Sequence, residues 1–186
     1  SSYRGGTNLD GIFAIPYPAA GSAMAGTSIA SVLDGTSNTA MFGEFMRGTF
    51  PAGTASTTYD NTTSMIGGTY TGTALTDGRA VAECNAPAGT VIHYVGQQYY
   101  RNLPQNFLYT HTLPINWNKK VASGTQKYNC GNSAFTAVHQ AASSFHNGGA
   151  NIGMADGSVK FVTESVDFVV WQGVGSARGG EVANLP

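Results

Sequence analysis

Few side chains in this sequence could take part in acid–base chemistry or bind a metal ion. Of the 186 residues, ten are Asp or Glu and four are His. General acid–base catalysis needs two carboxyl groups, or a carboxyl group and an imidazole, held close together with one pKa shifted. The candidates are Asp34, Glu44, Asp156 and Glu181, with His146 as their partner. A hydrolase would use His146 with Asp156 or Asp34, whereas a hard cation such as Ca²⁺ would suit the four carboxylates.

The same residues also have a structural interpretation, which we favour. Asp156-Gly157 is typical of a two-residue hairpin turn, in which both residues take positive φ. The run Asp34-Gly35-Thr36-Ser37-Asn38-Thr39 is typical of a loop, because such side chains bond nearby backbone amides. Glu44 follows apolar residues and should accept hydrogen bonds from an arginine or from backbone amides. On this interpretation His146 is a hydrogen-bonded structural residue, and the protein is not an enzyme.

Sequence signatures of common enzyme classes are absent. The histidines form no H-E-x-x-H motif, and no EF-hand loop, P-loop or zinc-ribbon spacing occurs. The segment Gly26-Thr27-Ser28-Ile29-Ala30 lacks the second glycine of a nucleophile elbow. A Gly-x-Gly segment at 173–179 follows a helical pattern rather than the strand that a dinucleotide loop requires.

The composition indicates one domain with an unusually uncharged surface. Only 10% of residues are charged, against about 25% in an average soluble protein. The net charge of −1 offers no attraction for nucleic acid or an anionic membrane. Molecules with so little surface charge hardly repel one another, and such a surface is commonly covered by glycan or buried in an assembly. Both situations favour an extracellular or cell-surface protein.

Periodicity predicts a single sheet-rich α+β domain over residues 1–186. Alternating apolar residues predict strands at Gly11–Ile15, Thr39–Phe45, Met65–Tyr70, Val91–Val95, Asn106–Thr112, Ala150–Ala155 and Ser158–Val162. Short helices are predicted at Ser28–Leu33, Thr136–Ser143 and Thr163–Trp171. The Gly-rich residues 1–15 are a candidate extended arm, and the Thr/Gly-rich residues 49–78 are a candidate surface loop or β-arm.

Three further features suit an exported protein. Cys84 and Cys130 would pair in an oxidising compartment, the alternative being two buried thiols in a reducing one. Asn61-Thr62-Thr63 is a sequon for N-glycosylation. The aromatic residues of the middle segment could stack on a glycan, but core or subunit interface is the commoner use of such residues. They are Tyr94, Tyr99, Tyr100, Phe107, Tyr109 and Trp117.

Three blocks in order carry a family resemblance. His146 is followed after nine residues by Asp156-Gly157, Asp34–Thr39 is followed by Gly43-Glu44, and Trp171 precedes Gly179-Gly180-Glu181-Val182. These blocks resemble those of a family of prepilin-like proteins of unassigned function with an H-x9-DG signature, abundant in planctomycete bacteria. The family begins with a prepilin cleavage site and a long apolar helix. This sequence contains neither, so the resemblance covers the globular C-terminal part.

The resemblance implies a relationship to type IV pilins or type II secretion pseudopilins. It implies a pilin-like antiparallel sheet with short helices and long Gly/Thr-rich loops, and no known reaction. We therefore expect a structural subunit whose copies assemble into an extracellular filament or tube, without a nucleic-acid partner or a membrane span in this chain. No cofactor is required, although Ca²⁺ would fit the carboxylates by analogy with major pseudopilins. The alternatives are a pseudopilin of a secretion machine and a surface glycan-binding module.

Overall fold

The computed structural model describes residues 11–13, 27–48, 65–68, 84, 89–92, 94–101, 103–119, 127–132, 138–180 and 185. Within these ranges the chain forms short strands and three very short helices. In chain order they are a 3₁₀ helix (Ile29–Ser31), β1 (Ala40–Gly43), β2 (Met65–Gly68), β3 (Gly89–Ile92), α1 (Pro104–Phe107), β4 (Asn129–Asn132), β5 (Val138–His139), β6 (Gly149–Met154), β7 (Val159–Thr163) and α2 (Phe168–Val174). None of these described helices is long and apolar enough to cross a membrane.

The first sheet has three antiparallel strands in the order β1-β6-β7. Gly153 of β6 lies between Phe42 of β1 and Val159 of β7, and Asn151 lies opposite Phe161. Alternate β6 residues face the core, as the sequence predicts for Ala150, Ile152 and Met154, each at most 1% exposed. The sheet therefore has one buried face and one face open to solvent.

The second sheet has four strands in the order β3-β2-β4-β5. β2 pairs antiparallel with β3 but parallel with β4, so that Ile66 lies opposite Cys130. Cys130 forms a disulfide with Cys84, with the two Cα atoms 5.4 Å apart. The predicted cysteine pairing and the sheet-rich α+β class are thus confirmed, whereas the parallel pair was not predicted.

The largest core cluster lies between the first sheet and α2. Trp171 of α2 is fully buried among β6 residues, and its indole N–H donates to the Leu113 carbonyl at 3.0 Å. Asp167 caps the helix by accepting hydrogen bonds from the amides of Val169 and Val170. The cap fixes the start of α2 and so the position of Trp171 against the sheet.

The β6–β7 hairpin is present, but its turn differs from the expected two-residue type. The Gly157 amide donates to the Met154 carbonyl at 3.0 Å, and the Met154 amide donates to the Ser158 carbonyl at 2.8 Å. Gly157 has φ +88°, whereas Asp156 is not among the described residues with positive φ. The loop is therefore a three-residue turn with glycine in the left-handed position, and Asp156 has another role.

Several predicted elements are shorter than expected, and three are wrong in the residues that the structure describes. Residues 106–112, predicted as a strand, contain the end of α1 and a turn, since Pro104 favours the first turn of a helix. Residues 138–143, part of the helix predicted at 136–143, contain β5 and no helix, because β5 pairs with β4. The helix predicted at 163–171 begins only at Phe168. Gly11–Phe13 is a turn rather than a strand. Residues 1–10, most of 49–78 and Asn61 lie outside the described residues.

Candidate functional site

The Asp34 carboxylate joins the first loop to the end of the chain. Its two oxygens accept hydrogen bonds from the amides of Gly179 (2.8 Å) and Gly180 (2.9 Å). Gly180 has φ +74°, a conformation that glycine adopts without strain. Beside this contact the Arg178 Nε donates to the Ser31 carbonyl at 3.1 Å. Two of the three sequence blocks thus meet through one carboxylate, and its oxygens are directed at backbone amides.

The loop after Asp34 is held by its own side chains and then joined to the hairpin. Gly35 has φ +90°, and its carbonyl accepts from the Asn38 amide and the Thr39 hydroxyl, both at 3.0 Å. The carbonyls of Thr36 and Thr39 accept from the amides of Asp156 (3.1 Å) and Ala155 (2.9 Å). Ser37 is exposed. The loop therefore positions the β6–β7 turn beside β1.

Glu44 makes the second carboxylate contact between blocks, with Asn151 of β6. Its Oε2 accepts from the Asn151 amide at 2.8 Å, and its Oε1 accepts from the Asn151 side-chain Nδ2 at 3.1 Å. The Glu44 amide in turn donates to the Asn151 carbonyl at 3.2 Å. The backbone donor expected for Glu44 is confirmed, but the arginine alternative is replaced by Asn151. Sequence reasoning placed Asn151 on this sheet face without giving it a role.

Burial raises the pKa of the Glu44 carboxyl, but the Asn151 hydrogen bonds and the nearby His146 outweigh it, so the pKa lies below its ordinary value. The His146 Nε2 lies 3.5 Å from Glu44 Oε1, and the two side chains are 58% and 38% exposed. Glu44 is therefore ionised at neutral pH. An exposed ion pair of this kind contributes little to stability.

His146 lies in a tight entry into β6. Its amide donates to the Ser144 hydroxyl at 3.0 Å, and that hydroxyl donates to the Gly149 carbonyl at 2.7 Å. Its ring meets the edge of the Phe161 ring, with 6.4 Å between centroids. These contacts agree with the structural interpretation of His146.

Asp156 caps its own turn. Its Oδ1 accepts from the amide (2.9 Å) and the hydroxyl (2.7 Å) of Ser158. These hydrogen bonds lower the pKa of the Asp156 carboxyl, although the residue is exposed. The side chain thus stabilises the turn that the Gly157 conformation permits.

The described carboxylates, Asp34, Glu44 and Asp156, do not gather into one site. Among the described residues no three Asp, Glu, His or Cys side chains are placed to share a metal ion. Glu181 lies outside the described residues, so its part in the four-carboxylate calcium hypothesis is untested. Within the described part of the chain, the oxygens of Asp34, Glu44 and Asp156 accept hydrogen bonds from separate backbone segments.

Sequence reasoning missed two buried histidines. His111 is fully buried against Trp171, with ring centroids 3.9 Å apart, and its Nδ1 donates to the Trp171 carbonyl at 2.7 Å. Burial lowers the pKa of His111 well below its ordinary value. His139 of β5 lies 2.7 Å from the Thr112 hydroxyl through Nδ1, and burial lowers its pKa to about 3. The apolar residues beside them in sequence, such as Val138 and Ala141 beside His139, were the signal that could have indicated their burial.

The aromatic residues predicted as a group are divided between core and surface. Tyr109 and Trp117 are buried, at 4% and 8% exposed. Tyr99 and Tyr100 are 95% and 71% exposed, and their rings meet edge to face at 5.8 Å. Phe107 is 47% exposed. The six aromatic residues therefore do not form one surface for stacking on a glycan. The exposed Tyr99 and Tyr100 remain candidates for such a contact.

A family model described as "Protein of unknown function (DUF1559)" matches residues 1–169 of the chain. The match includes Asp34, Glu44, His146 and Asp156, whereas the Gly179-Gly180 partner of Asp34 lies beyond it. Searches of curated proteins and of solved structures returned no match.

Proposed function

Since the chain belongs to the DUF1559 family of proteins of unknown function, we propose that it is a structural subunit whose copies assemble into an extracellular filament or tube. The proposal includes a pilin-like relationship, based on the H-x9-DG signature and its two companion blocks. It assigns the chain no catalytic reaction.

The observation that carries this proposal is the number of large apolar side chains left exposed on a weakly charged surface. Phe42, Phe145 and Val159 are 60%, 77% and 69% exposed. Others, on several elements, are Ile29, Leu33, Tyr99, Tyr100, Phe107, Phe161 and Val169. Phe42, Val159 and Phe161 share the open face of the first sheet, and exposed apolar surface that is poor in charge favours association between protein chains.

The contacts of the motif residues support a structural role for them. Asp34 and Glu44 direct their carboxylates at backbone amides more than 100 positions away in sequence, and Asp156 caps a turn. Such contacts fix the relative positions of loops and strands.

The disulfide supports an extracellular location. Structural disulfides persist in oxidising compartments and are rare in the cytosol. Cys84 is fully buried and Cys130 is 6% exposed, which places the bond inside the fold. The sequon at Asn61 adds a glycosylation prediction for the same compartment.

Sedimentation and negative-stain electron microscopy of the purified chain, with Ca²⁺ or with a chelator, test the proposal. We expect concentration-dependent growth into regular fibres. Fibres lost with the chelator would add a calcium site, whereas fibres in both conditions would remove calcium from assembly. Monomers at all concentrations in both conditions would contradict the proposal.

A glycan-binding module is the second candidate, and the Tyr99–Tyr100 pair favours it. Two exposed aromatic rings on adjacent residues offer a surface for stacking on a sugar. A glycan array probed with the monomer tests this candidate, with Tyr99→Ala/Tyr100→Ala as the control. Binding that survives the double substitution would exclude the pair as the binding surface.

A further inference from the structure

One edge of the first sheet has backbone groups that the described chain leaves unpaired. The Glu164 amide donates to Gly148 and the Met154 amide to Ser158, each at 2.8 Å, so these two pairs mark the bonded positions of the β6–β7 ladder. Bonded positions alternate in an antiparallel pair. Lys160 and Val162 therefore bond to β6, while the backbone groups of Val159, Phe161 and Thr163 point off the other edge.

These outward groups meet no partner among the described residues, apart from the Thr163 carbonyl, which accepts from the Val166 amide at 3.1 Å. The edge has no proline, and its one charged side chain, Lys160, lies on the opposite face of the sheet from Val159 and Phe161. Natural edges are commonly protected by proline, bulges or outward charges. The three residues whose backbone groups point off the edge, Val159, Phe161 and Thr163, have uncharged side chains. Val159 is 69% exposed.

We propose that β7 pairs antiparallel with β7 of a second copy, about a twofold axis at Phe161. The Phe161 amide of each copy would donate to the Phe161 carbonyl of the other. The Thr163 amide would donate to the Val159 carbonyl of the second copy, and the Val159 amide would donate to the Thr163 carbonyl, which also accepts from Val166 of its own chain. Val159 then lies opposite Thr163, and the two three-stranded sheets become one six-stranded sheet.

A second copy fits this edge better than a strand of another protein because the edge is self-complementary. With the twofold axis at Phe161, the exposed Phe161 rings of the two copies meet each other. Val159 and Thr163, which would lie opposite each other, are both uncharged. The pairing also joins the exposed faces of two sheets, each carrying Phe42, Val159 and Phe161. This continuous apolar surface offers further area for contacts between copies.

The edge alone makes a weak contact. A five-residue strand buries less than the roughly 800 Å² per partner that is usual for a stable interface. A twofold contact also joins only two copies, so a fibre needs at least one other contact. The β7 contact rests on the proposed function, because it would be one of the contacts between subunits of the filament.

Disulfide trapping tests the contact and its register. Val159→Cys and Thr163→Cys are made in separate chains of different mass, mixed, and oxidised gently. Opposed residues at a bonded position have Cα atoms about 5.5 Å apart, within the range that a disulfide spans. We expect the mixed dimer to exceed either homodimer by about tenfold, against about twofold for random collision. Phe42→Cys, on the same face but on β1, is the exposed control and should give only the random proportion.

A charge pair provides a second readout that does not depend on oxidation. Val159→Lys/Thr163→Lys should abolish association through the edge, and Val159→Lys/Thr163→Glu should restore it, because residues 159 and 163 face each other only between copies. Random proportions of cross-linked dimers, or no restoration by the opposite charges, would overturn the edge proposal. Specific cross-linking without fibres would support the edge and contradict the filament. Fibres without specific cross-linking would support the filament and contradict the edge.

Discussion

The two sheets are held together by different means. In the first sheet, Asp34 and Glu44 join segments 145 and 107 positions apart through hydrogen bonds to backbone amides. In the second, the Cys84–Cys130 disulfide closes a loop of 46 positions. Among the described residues, one group of buried side chains packs around Trp171 against the first sheet, and a separate group that includes both cysteines packs around the disulfide.

This difference bears on where Asp34, Glu44 and Asp156 lie. Specific polar contacts repay their desolvation only where both partners are held rigidly, as on β6 beside a packed core. In the second sheet, β2 and β4 are four residues long and both contain glycine. The covalent bond supplies the constraint there. Loss of either constraint should therefore affect one sheet before the other.

The largest expected effect is loss of the disulfide. Cys84→Ser/Cys130→Ser should lower the free energy of unfolding by about 4 kcal/mol, because a closed loop of this length restricts the unfolded chain. Urea unfolding measures the loss, and hydrogen exchange locates it. We expect faster exchange in β2, β3 and β4 first. Equal acceleration in β6 and β7 would show that the two sheets do not differ in this way.

Acid should destabilise both sheets, and protonation of the buried His111 and His139 should be the first cause. Both native pKa values lie below that of an unfolded histidine, so the unfolded state binds more protons as pH falls below about 6.5. The contribution of the two neutral histidines to the free energy of unfolding is complete above about pH 6.5. It is lost as the pH falls toward 3, by on the order of a few kcal/mol. Glu44, whose pKa is also lowered, adds a loss only below its unfolded pKa of about 4.3.

The pH dependence of urea unfolding, compared with that of His139→Gln, checks this prediction. The variant should be less stable at pH 7 but should show a shallower decline between pH 6.5 and 3. An unchanged slope would mean that His139 does not titrate as its burial requires.

Removal of the Glu44 carboxylate should affect the first sheet alone. Glu44→Ala leaves the Asn151 amide and side chain without their acceptor, at a cost of about 1–3 kcal/mol. His146→Gln removes the exposed imidazole beside Glu44 and its contact with the Phe161 ring, and should cost less than about 1 kcal/mol. Hydrogen exchange at β6 and thermal unfolding distinguish the two variants. Equal losses would show that the imidazole rather than Asn151 is the important partner of Glu44.

The smallest expected effect is at the hairpin turn. Gly157→Ala should cost about 1 kcal/mol, because alanine is strained at φ +88° even though its Cβ would meet no atom within 4 Å. Gly157→Asn is the matched control and should cost less, since asparagine tolerates this conformation. Thermal unfolding measures both. An alanine variant as stable as the wild type would contradict the positive φ at this position.

The sequence predicted the local features of the first sheet well. Alternation in Ala150–Ala155 and the following Asp-Gly identified the hairpin and its buried face, because both signals lie within a few residues. The parallel pairing of β2 with β4 could not be read in this way, since it joins distant segments and depends on the disulfide region. Asn151 was missed as the partner of Glu44 for the same reason. Contacts between segments more than 100 positions apart leave no local pattern.

The central claim is that copies of this chain form a fibre outside the cell. Cryo-electron microscopy of fibres isolated from the surface of cells that make the protein tests it most directly. The account predicts a reconstruction whose repeating unit contains the disulfide-linked fold, with side-chain density that matches this sequence. Native protein found only as discrete monomers, with no such fibre at the surface, would contradict it.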